Sequence, residues 1–308
     1  MPPPLDQPAM AGSSLSGQSG IAGVQGSQEI PGLARNWCFS ASKIAFWRRV
    51  FVVEGIFWYG LPAPEWTTIK RVNARDSWVL YFLYAPDGKL MPYHAYALSR
   101  LRDLGANVLV ICAARTASLV PPELARYADA LYWKALHGYD FSAYRIGLME
   151  IARRSAGADV LLMNDSVFGP FTDPIRALSA CDWDLAGFTA SSEIENHIQS
   201  YAFRIRNVAP ARMRALRAVL FPVACLDRKD DVILIQETRM ARIASASMSV
   251  GSLWYGASMQ AQNPTLYRPA ELVNAGFPFL KRSLSRMNPA NKLMTHALLE
   301  RHHHPLPD

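Results

Sequence analysis

Gly138–Leu148 reads GYDFSAYRIGL, and a little further on Ala158–Pro170 reads ADVLLMNDSVFGP. The apolar run Val160–Met163 has the length and flanks of a buried strand. It stops at three small polar residues, Asn164, Asp165 and Ser166. In an open α/β sheet, ligands bind beyond the carboxyl ends of the strands, so a carboxylate there is placed to meet one. Upstream, Asp140, Ser142, Tyr144 and Arg145 surround the start of a helix predicted over Ser142–Arg154. A helix start offers free N–H groups and a positive dipole end, which suit a phosphate. One βα unit thus pairs an anion-binding helix start with an acid one strand later, a combination suited to a nucleotide diphosphate and its metal. The same residues have plainer uses. Asp140 is a good N-cap, and Asn164–Ser166 would serve as a polar turn contributing little core packing.

Working outward, strands and helices alternate. Strands are predicted at Trp78–Tyr84, Asn107–Ala113 and Leu131–Lys134. Between them lie a Pro86-Asp87-Gly88 turn, a helix over Tyr93–Leu104 ended by Gly105, and a helix from Pro121-Pro122-Glu123 through Ala130. That alternation implies a mostly parallel sheet flanked by helices, with right-handed crossovers. Downstream, strands are expected at Asp182–Thr189 and Ile198–Ile205, and a helix with a basic face at Ala209–Leu220. A run Val232–Ile235 leads through Gln236 and Glu237 into a helix. Further helices are expected at Pro269–Asn274 and from Asn288-Pro289 through Arg301.

The N-terminal region differs in composition. Residues Met1 to about Leu33 are rich in Pro, Gly, Ser and Gln, as in a disordered tail. Ile44–Leu61 is aromatic but carries Arg48, Arg49 and Glu54 mid-span, which argues against a membrane span and for an amphipathic helix on the domain, with an interfacial membrane helix as its rival. The expected division is a disordered tail over 1–40, an amphipathic helical extension over 41–70 and the main domain over 71–308.

The 308 residues suffice for one large domain or two smaller ones, and half are hydrophobic, ample for a sizeable core. A net charge of +7 suits acidic small molecules, an anionic membrane surface or nucleic acid. No nucleic-acid motif is present, so nucleic acid is not an expected partner. Cys38, Cys112, Cys181 and Cys225 form no CxxC pair, which argues against a zinc site and a disulfide framework. A reducing cytoplasm is the simplest compartment, and no signal peptide is visible. His302–His304 read as a solvated tail.

Five blocks in one order, LYFLYAPDG, GYDFSAYRIGL, LLMNDSVFGP, HIQSYAFRI and NPTLYRPAELVNAGFPFLKR, resemble the rhamnan synthesis protein F family of bacterial polysaccharide glycosyltransferases. The resemblance covers roughly two-thirds of the chain, from Trp78 to Asn288. It implies a GT-A-like fold, with a donor half over about 71–180 and an acceptor half over about 181–308. It also implies a nucleotide-sugar donor and a glycan or lipid-linked glycan acceptor; Ile44–Leu61 and the arginine-rich helix add peripheral contact at the cytoplasmic face of the inner membrane as an expected partner. The Asn164-Asp165-Ser166 turn resembles the position of the GT-A DXD motif but has one Asp where that motif has two. Asp165 is then the candidate ligand for Mg²⁺ or Mn²⁺, or a contact to ribose or sugar hydroxyls.

Transfer to an acceptor hydroxyl needs a base and a stabilised leaving diphosphate. Glu237, at a loop-to-helix boundary in the second half, is the candidate base, with Asp182 and Asp184 as rivals. Its plainer use is a first-turn acid favoured by the helix dipole. Glu193 and Glu195 lie in a polar loop and are less fixed. Asp140, Ser142 and Arg145 are assigned to donor nucleotide and phosphate, together with Asn164, Asp165 and Ser166. Tyr84, after the first strand, sits where a base or ribose is usually met. Strand alternation puts His197 and Gln199 on one face, able to line a sugar or acceptor pocket, and Ser200 on the other. A non-catalytic nucleotide- or glycan-binding protein and a basic membrane-surface scaffold are the competing readings.

Overall fold

The strand Ser77–Tyr84 is buried on both faces because every residue between its ends is apolar. Trp78, Leu80 and Phe82 point to one side of the sheet; Val79, Tyr81 and Leu83 point to the other. Helices must therefore cover both faces, and the rest of the architecture follows. The computed structural model describes residues 29–43, 55–56, 59–256, 258 and 262–307.

In chain order the strands are β1 (Leu33–Cys38), β2 (Gly60–Pro62), β3 (Trp66–Lys70), β4 (Ser77–Tyr84), β5 (Val108–Ala113), β6 (Ala130–Lys134) and β7 (Ala158–Asn164). They continue with β8 (Val167–Phe168), β9 (Leu185–Ser191), β10 (His197–Ile198), β11 (Ala202–Val208), β12 (Ala224–Leu226), β13 (Val250–Gly256) and β14 (Leu280–Lys281). The main sheet runs β1-β13-β9-β11-β7-β4-β5-β6-β3, with β10 hydrogen-bonded to β9. Its heart, β7-β4-β5-β6, is parallel, with Val79 opposite Val108 and Leu161; strands around it pair antiparallel, apart from the parallel pair β13–β9. The fold is thus α/β with a mixed sheet flanked by helices, as expected.

Helix α1 (Pro92–Asp103) packs Ala97, Leu98 and Leu101 on one face of the sheet. Helix α2 (Tyr139–Arg154) packs Phe141, Tyr144, Leu148 and Ile151 on the other. Each fully buried Leu, Ile or Phe among them contributes about 1.5–3 kcal/mol. Gly147 lets α2 approach closely: a Cβ there would lie 2.3 Å from Leu80 Cδ1. On the same side, Val232–Glu237 is wound as a π-helix and runs into α3 (Thr238–Ala244). Helix α4 (Pro289–Arg301) covers a third cluster around Phe168, Leu280 and Leu284.

Several boundaries differ from expectation. The tail over 1–40 and the extension over 41–70 do not stand outside the domain where they are described: β1 pairs β13, β3 pairs β6, and Ile30 is buried. Trp37 stacks on Tyr255 at 4.3 Å, and Arg35 lies over Trp254, so packing across strands holds β1 despite the weak composition preceding it. Met1–Gln28 and most of Ile44–Leu61 lie outside the described residues, although Gly60 and Leu61 are in β2 rather than a helix. The helix expected after Pro121 is a 3₁₀ turn over Pro122–Arg126, and that of Ala209–Leu220 regular only over Pro210–Ala215. No described helix is long and apolar enough to cross a membrane.

Candidate active site

The chain runs β4, β5, β6 in one direction across the sheet and then returns to place β7 on the other side of β4. That reversal opens a crevice beyond the carboxyl ends of β4 and β7, the usual ligand position in such sheets. A cleft of about 1010 Å³ lies there. Tyr84, Asp140, Asn164, Asp165, Ser166, His197, Gln199 and Glu237 all line it.

The polar turn at the end of β7 is held from several sides. Asn164 Nδ2 donates to Asp140 Oδ2 (2.7 Å), and Asn164 Oδ1 accepts from Ser166 Oγ (2.5 Å) and Ser166 N (3.1 Å). Asp165 Oδ2 accepts the Tyr84 backbone N–H (3.2 Å), which bridges the ends of β4 and β7. It also meets His94 Nε2 at 3.1 Å. His94 Nδ1 accepts the Met91 N–H, so Nε2 carries the proton and donates to the carboxylate. Arg282 Nη1 donates to the Asp165 carbonyl (2.5 Å), lies 3.6 Å from Oδ2, and its guanidinium covers the Tyr93 ring at 4.1 Å. Asp165 is therefore a tied carboxylate beside a cation.

The helix start is less open to an anion than the sequence implies. Gly138 takes φ +89°, and a Cβ there would lie 2.7 Å from Ser142 Oγ and 2.9 Å from Cys225 Cβ. Its N–H donates to Asp227 Oδ1 (2.9 Å), and the Phe141 N–H donates to Asp140 Oδ1 (3.0 Å). Two carboxylates thus already occupy the positive end of α2, and they oppose a phosphate there. Burial, with Glu237 nearby, pushes the Asp140 carboxyl up to about 6. Beneath this turn, buried Lys134 donates to the His137 carbonyl (2.9 Å), and burial pulls its ammonium down to about 8. Ser142 and Arg145 do not line the cleft. Ser142 Oγ donates back to the Tyr139 carbonyl, and Arg145 has a buried Nε with no hydrogen-bond partner among the described residues.

The opposite wall comes from the second half of the chain. Glu237 Oε1 accepts the Ser200 backbone N–H (2.8 Å), so it does not cap its own helix. The regular β10 ends at Ile198, so alternation does not extend to Ser200, which turns toward the cleft instead. His197 Nδ1 is paired with the Glu195 carbonyl (2.7 Å). Gln199 accepts from Thr189 Oγ1 (2.7 Å) and donates to Asn263 Oδ1 (3.0 Å). Asp182 is fully exposed and Asp184 is bound by Arg212 (2.6 Å), and neither lines the cleft, so both fall as rival bases. Glu193 lines the cleft, whereas Glu195 is buried against Arg242 (2.8 Å) and is firmly fixed.

Lys281, Arg282, His94 and Asp227 are the site residues to which sequence reasoning gave no role. Strand β14 pairs with β8, putting Lys281 opposite Val167, and the Arg282 N–H donates to the Ser166 carbonyl (2.9 Å). The Lys281-Arg282 pair is thereby zipped onto the polar turn over a hundred residues earlier in the chain. Lys281 Nζ lies 4.4 Å from the Tyr201 ring centre and, among the described residues, makes no hydrogen bond or ion pair. Burial pulls its ammonium down to about 8, partly offset by Glu237 and Asp140. The block NPTLYRPAELVNAGFPFLKR contained the signal, but nothing in it told which basic residue faced the cleft.

Residues 108–304, well over half of the chain, match the model of the rhamnan synthesis protein F family. The chain belongs to that family. Virulence protein VirA of Vibrio anguillarum is 22% identical over 255 residues, covering 71% of this chain and 83% of VirA. Among solved structures, HddC from Yersinia pseudotuberculosis aligns with a TM-score of 0.36 and 9% identity, over 57% of this chain and 89% of HddC. The inositol-1-phosphate CTP transferase from T. maritima aligns with a TM-score of 0.37 and 9% identity, over 66% of this chain and 97% of that one.

Whether this rhamnan synthesis family member could hold Mg²⁺ or Mn²⁺ turns on its donor set. Such ions need several oxygen ligands. Among the described residues no three His, Cys, Asp or Glu side chains come together as a ligand group. Asp165 Oδ2 already accepts two N–H groups beside the Arg282 guanidinium, which leaves this carboxylate a single open oxygen. These residues do not fit a divalent cation held by the protein.

Proposed function

We propose that the protein is a glycosyltransferase that moves a sugar, with rhamnose the first candidate, from a nucleotide-sugar donor to a growing cell-surface polysaccharide or lipopolysaccharide glycan. The observation that carries this reading is one cleft at the topological switch point that gathers Glu237 from the second half and Asn164–Ser166 from the first. Membership of the rhamnan synthesis protein F family supports the choice of a glycan-building reaction.

In this reaction the acceptor hydroxyl attacks the anomeric carbon. Its O–H proton passes to Glu237 as the new C–O bond forms, and the bond to the diphosphate breaks, releasing a nucleoside diphosphate with inversion. One Glu237 oxygen is anchored by the Ser200 N–H, which fixes the carboxylate and leaves the other oxygen to take the proton. The donor sits between Tyr84 and the polar turn, with the acceptor entering on the side of His197 and Gln199. Work at the cytoplasmic face of the inner membrane is part of this proposal.

Glu237→Gln keeps size and hydrogen-bonding reach but removes the proton acceptor. Near-normal donor binding with transfer lowered by about 10²-fold or more is expected. Equal transfer rates for Glu237→Gln and wild type at saturating acceptor would remove the base assignment.

A further inference from the structure

We infer that Lys281, held in place by Arg282, takes the part of a divalent cation in this cleft and neutralises the diphosphate of the bound nucleotide. The inference rests on the donor-site reading above and specifies its chemistry. Three observations carry it.

A half-buried lysine on a cleft wall commonly pairs with a carboxylate or carbonyl, which offsets the cost of partly desolvating its ammonium. Lys281 finds only the face of Tyr201, although Glu237 and Asp140 lie close enough to influence its protonation. Its three donors are therefore left for a ligand.

Arg282 is placed differently. Its guanidinium is fixed by the Asp165 carbonyl and the Tyr93 ring, and its backbone N–H is spent on Ser166. It neutralises Asp165, the residue that a metal-dependent site would need free. The ladder between β14 and β8 then fixes the backbone of the neighbouring Lys281 beside the polar turn, with its ammonium on the Tyr201 ring.

The third observation concerns the rest of the cleft. Asp140 and Asp227 occupy the start of α2, so a diphosphate cannot lie there without meeting two carboxylates. The Lys281-Arg282 wall, with Lys229 and Arg286 also lining the cleft, is the one with the opposite charge. An ammonium acts as a point charge on phosphate oxygens without the coordination geometry a metal requires.

The test is calorimetric titration of the full chain with UDP, dTDP, GDP and CDP, in EDTA and again with Mn²⁺. At least one nucleotide is expected to bind with affinities in the two buffers that agree within about threefold. Lys281→Met, which keeps an unbranched chain on Tyr201, is expected to weaken that nucleotide by at least about tenfold, the scale of a charge-assisted hydrogen bond. It should leave binding of the matching nucleoside, which lacks phosphate, unchanged. That unchanged nucleoside binding shows the Met variant to be folded, and Lys281→Arg, retaining the charge, should recover most of the lost affinity. Binding that appears only with Mn²⁺, or an affinity unmoved by Lys281→Met, would overturn the clamp and leave the donor site standing. No binding of any of the four in either buffer would overturn both.

Discussion

Replacing Asp165 by alanine should unsettle the fold as well as the site. A strand-end polar residue read from sequence contributes little packing, but the observed carboxylate joins β4, β7 and α1 and lies beside Arg282, which itself donates to the Asp165 carbonyl. Of its two N–H donors, Tyr84 N–H is near solvent and can turn to water. His94 cannot, because its side chain is 1% exposed. A buried donor left without an acceptor costs about 1–3 kcal/mol. Loosening of Arg282, which loses its carboxylate neighbour at 3.6 Å, adds to this. The expected loss for Asp165→Ala is thus about 2–4 kcal/mol, against about 1 kcal/mol for Asp165→Asn, which keeps an oxygen acceptor. Urea unfolding followed by the fluorescence of the eight tryptophans would measure both. A double-mutant cycle with His94→Asn should give a coupling of about 1–2 kcal/mol. Stability of Asp165→Ala within about 0.5 kcal/mol of wild type, with no coupling to His94, would refute the reasoning.

Three further outcomes are expected. Asp140, with its carboxyl pushed up to about 6 from an ordinary 3.8, favours the folded state when protonated; that contribution is full below about 3.8 and is lost as pH rises through 6. Asp140→Asn should therefore flatten the stability profile between pH 4 and 7 by at most about 3 kcal/mol, measured by denaturation at each pH. His304 is buried with its Nε2 unpartnered among the described residues, and burial pulls it down to about 4. Its neutral form contributes stability above the ordinary 6.5 that is lost as pH falls toward 4, so His304→Phe should reduce acid sensitivity in that window by at most about 3 kcal/mol. Nucleoside diphosphate affinity should fall as pH rises above about 8, where Lys281 loses its proton, and Lys281→Arg should abolish that fall; titration at pH 7 and 9.5 would check it.

The parallel heart of the sheet was legible because each of its strands is a short continuous apolar run with turn residues after it, as at Val160–Met163 and Asn164–Ser166. So was the helix, expected over Ser142–Arg154 and observed over Tyr139–Arg154. The added strands were not. Strand β1 follows a stretch of low apolar content, and β13 carries Gly251, Ser252 and Gly256; both are held by pairing and by aromatic contacts across strands that no local pattern encodes. The site divides the same way. Asp140, Asn164 and Asp165 could be found because they sit at the ends of recognisable elements. The direction of Arg145 is a matter of helix phase, and Arg145 does not line the cleft. The reach of Lys281 depends on a two-residue ladder with Val167 and Phe168, a long-range pairing invisible to any window of sequence. His302–His304, read as a solvated tail, contains a histidine packed against Tyr96 and Phe168 for the same reason.

Release of nucleoside diphosphate from a panel of nucleotide-diphospho-sugars, dTDP-rhamnose among them, tests the proposed activity. With a glycan acceptor fraction present, the wild-type chain should release diphosphate from at least one donor, in EDTA as well as in Mn²⁺, and Glu237→Gln should release it about 10²-fold more slowly. Tight binding of a donor with no release of nucleoside diphosphate under any of these conditions would contradict the transferase reading and leave a protein that only binds nucleotide or glycan.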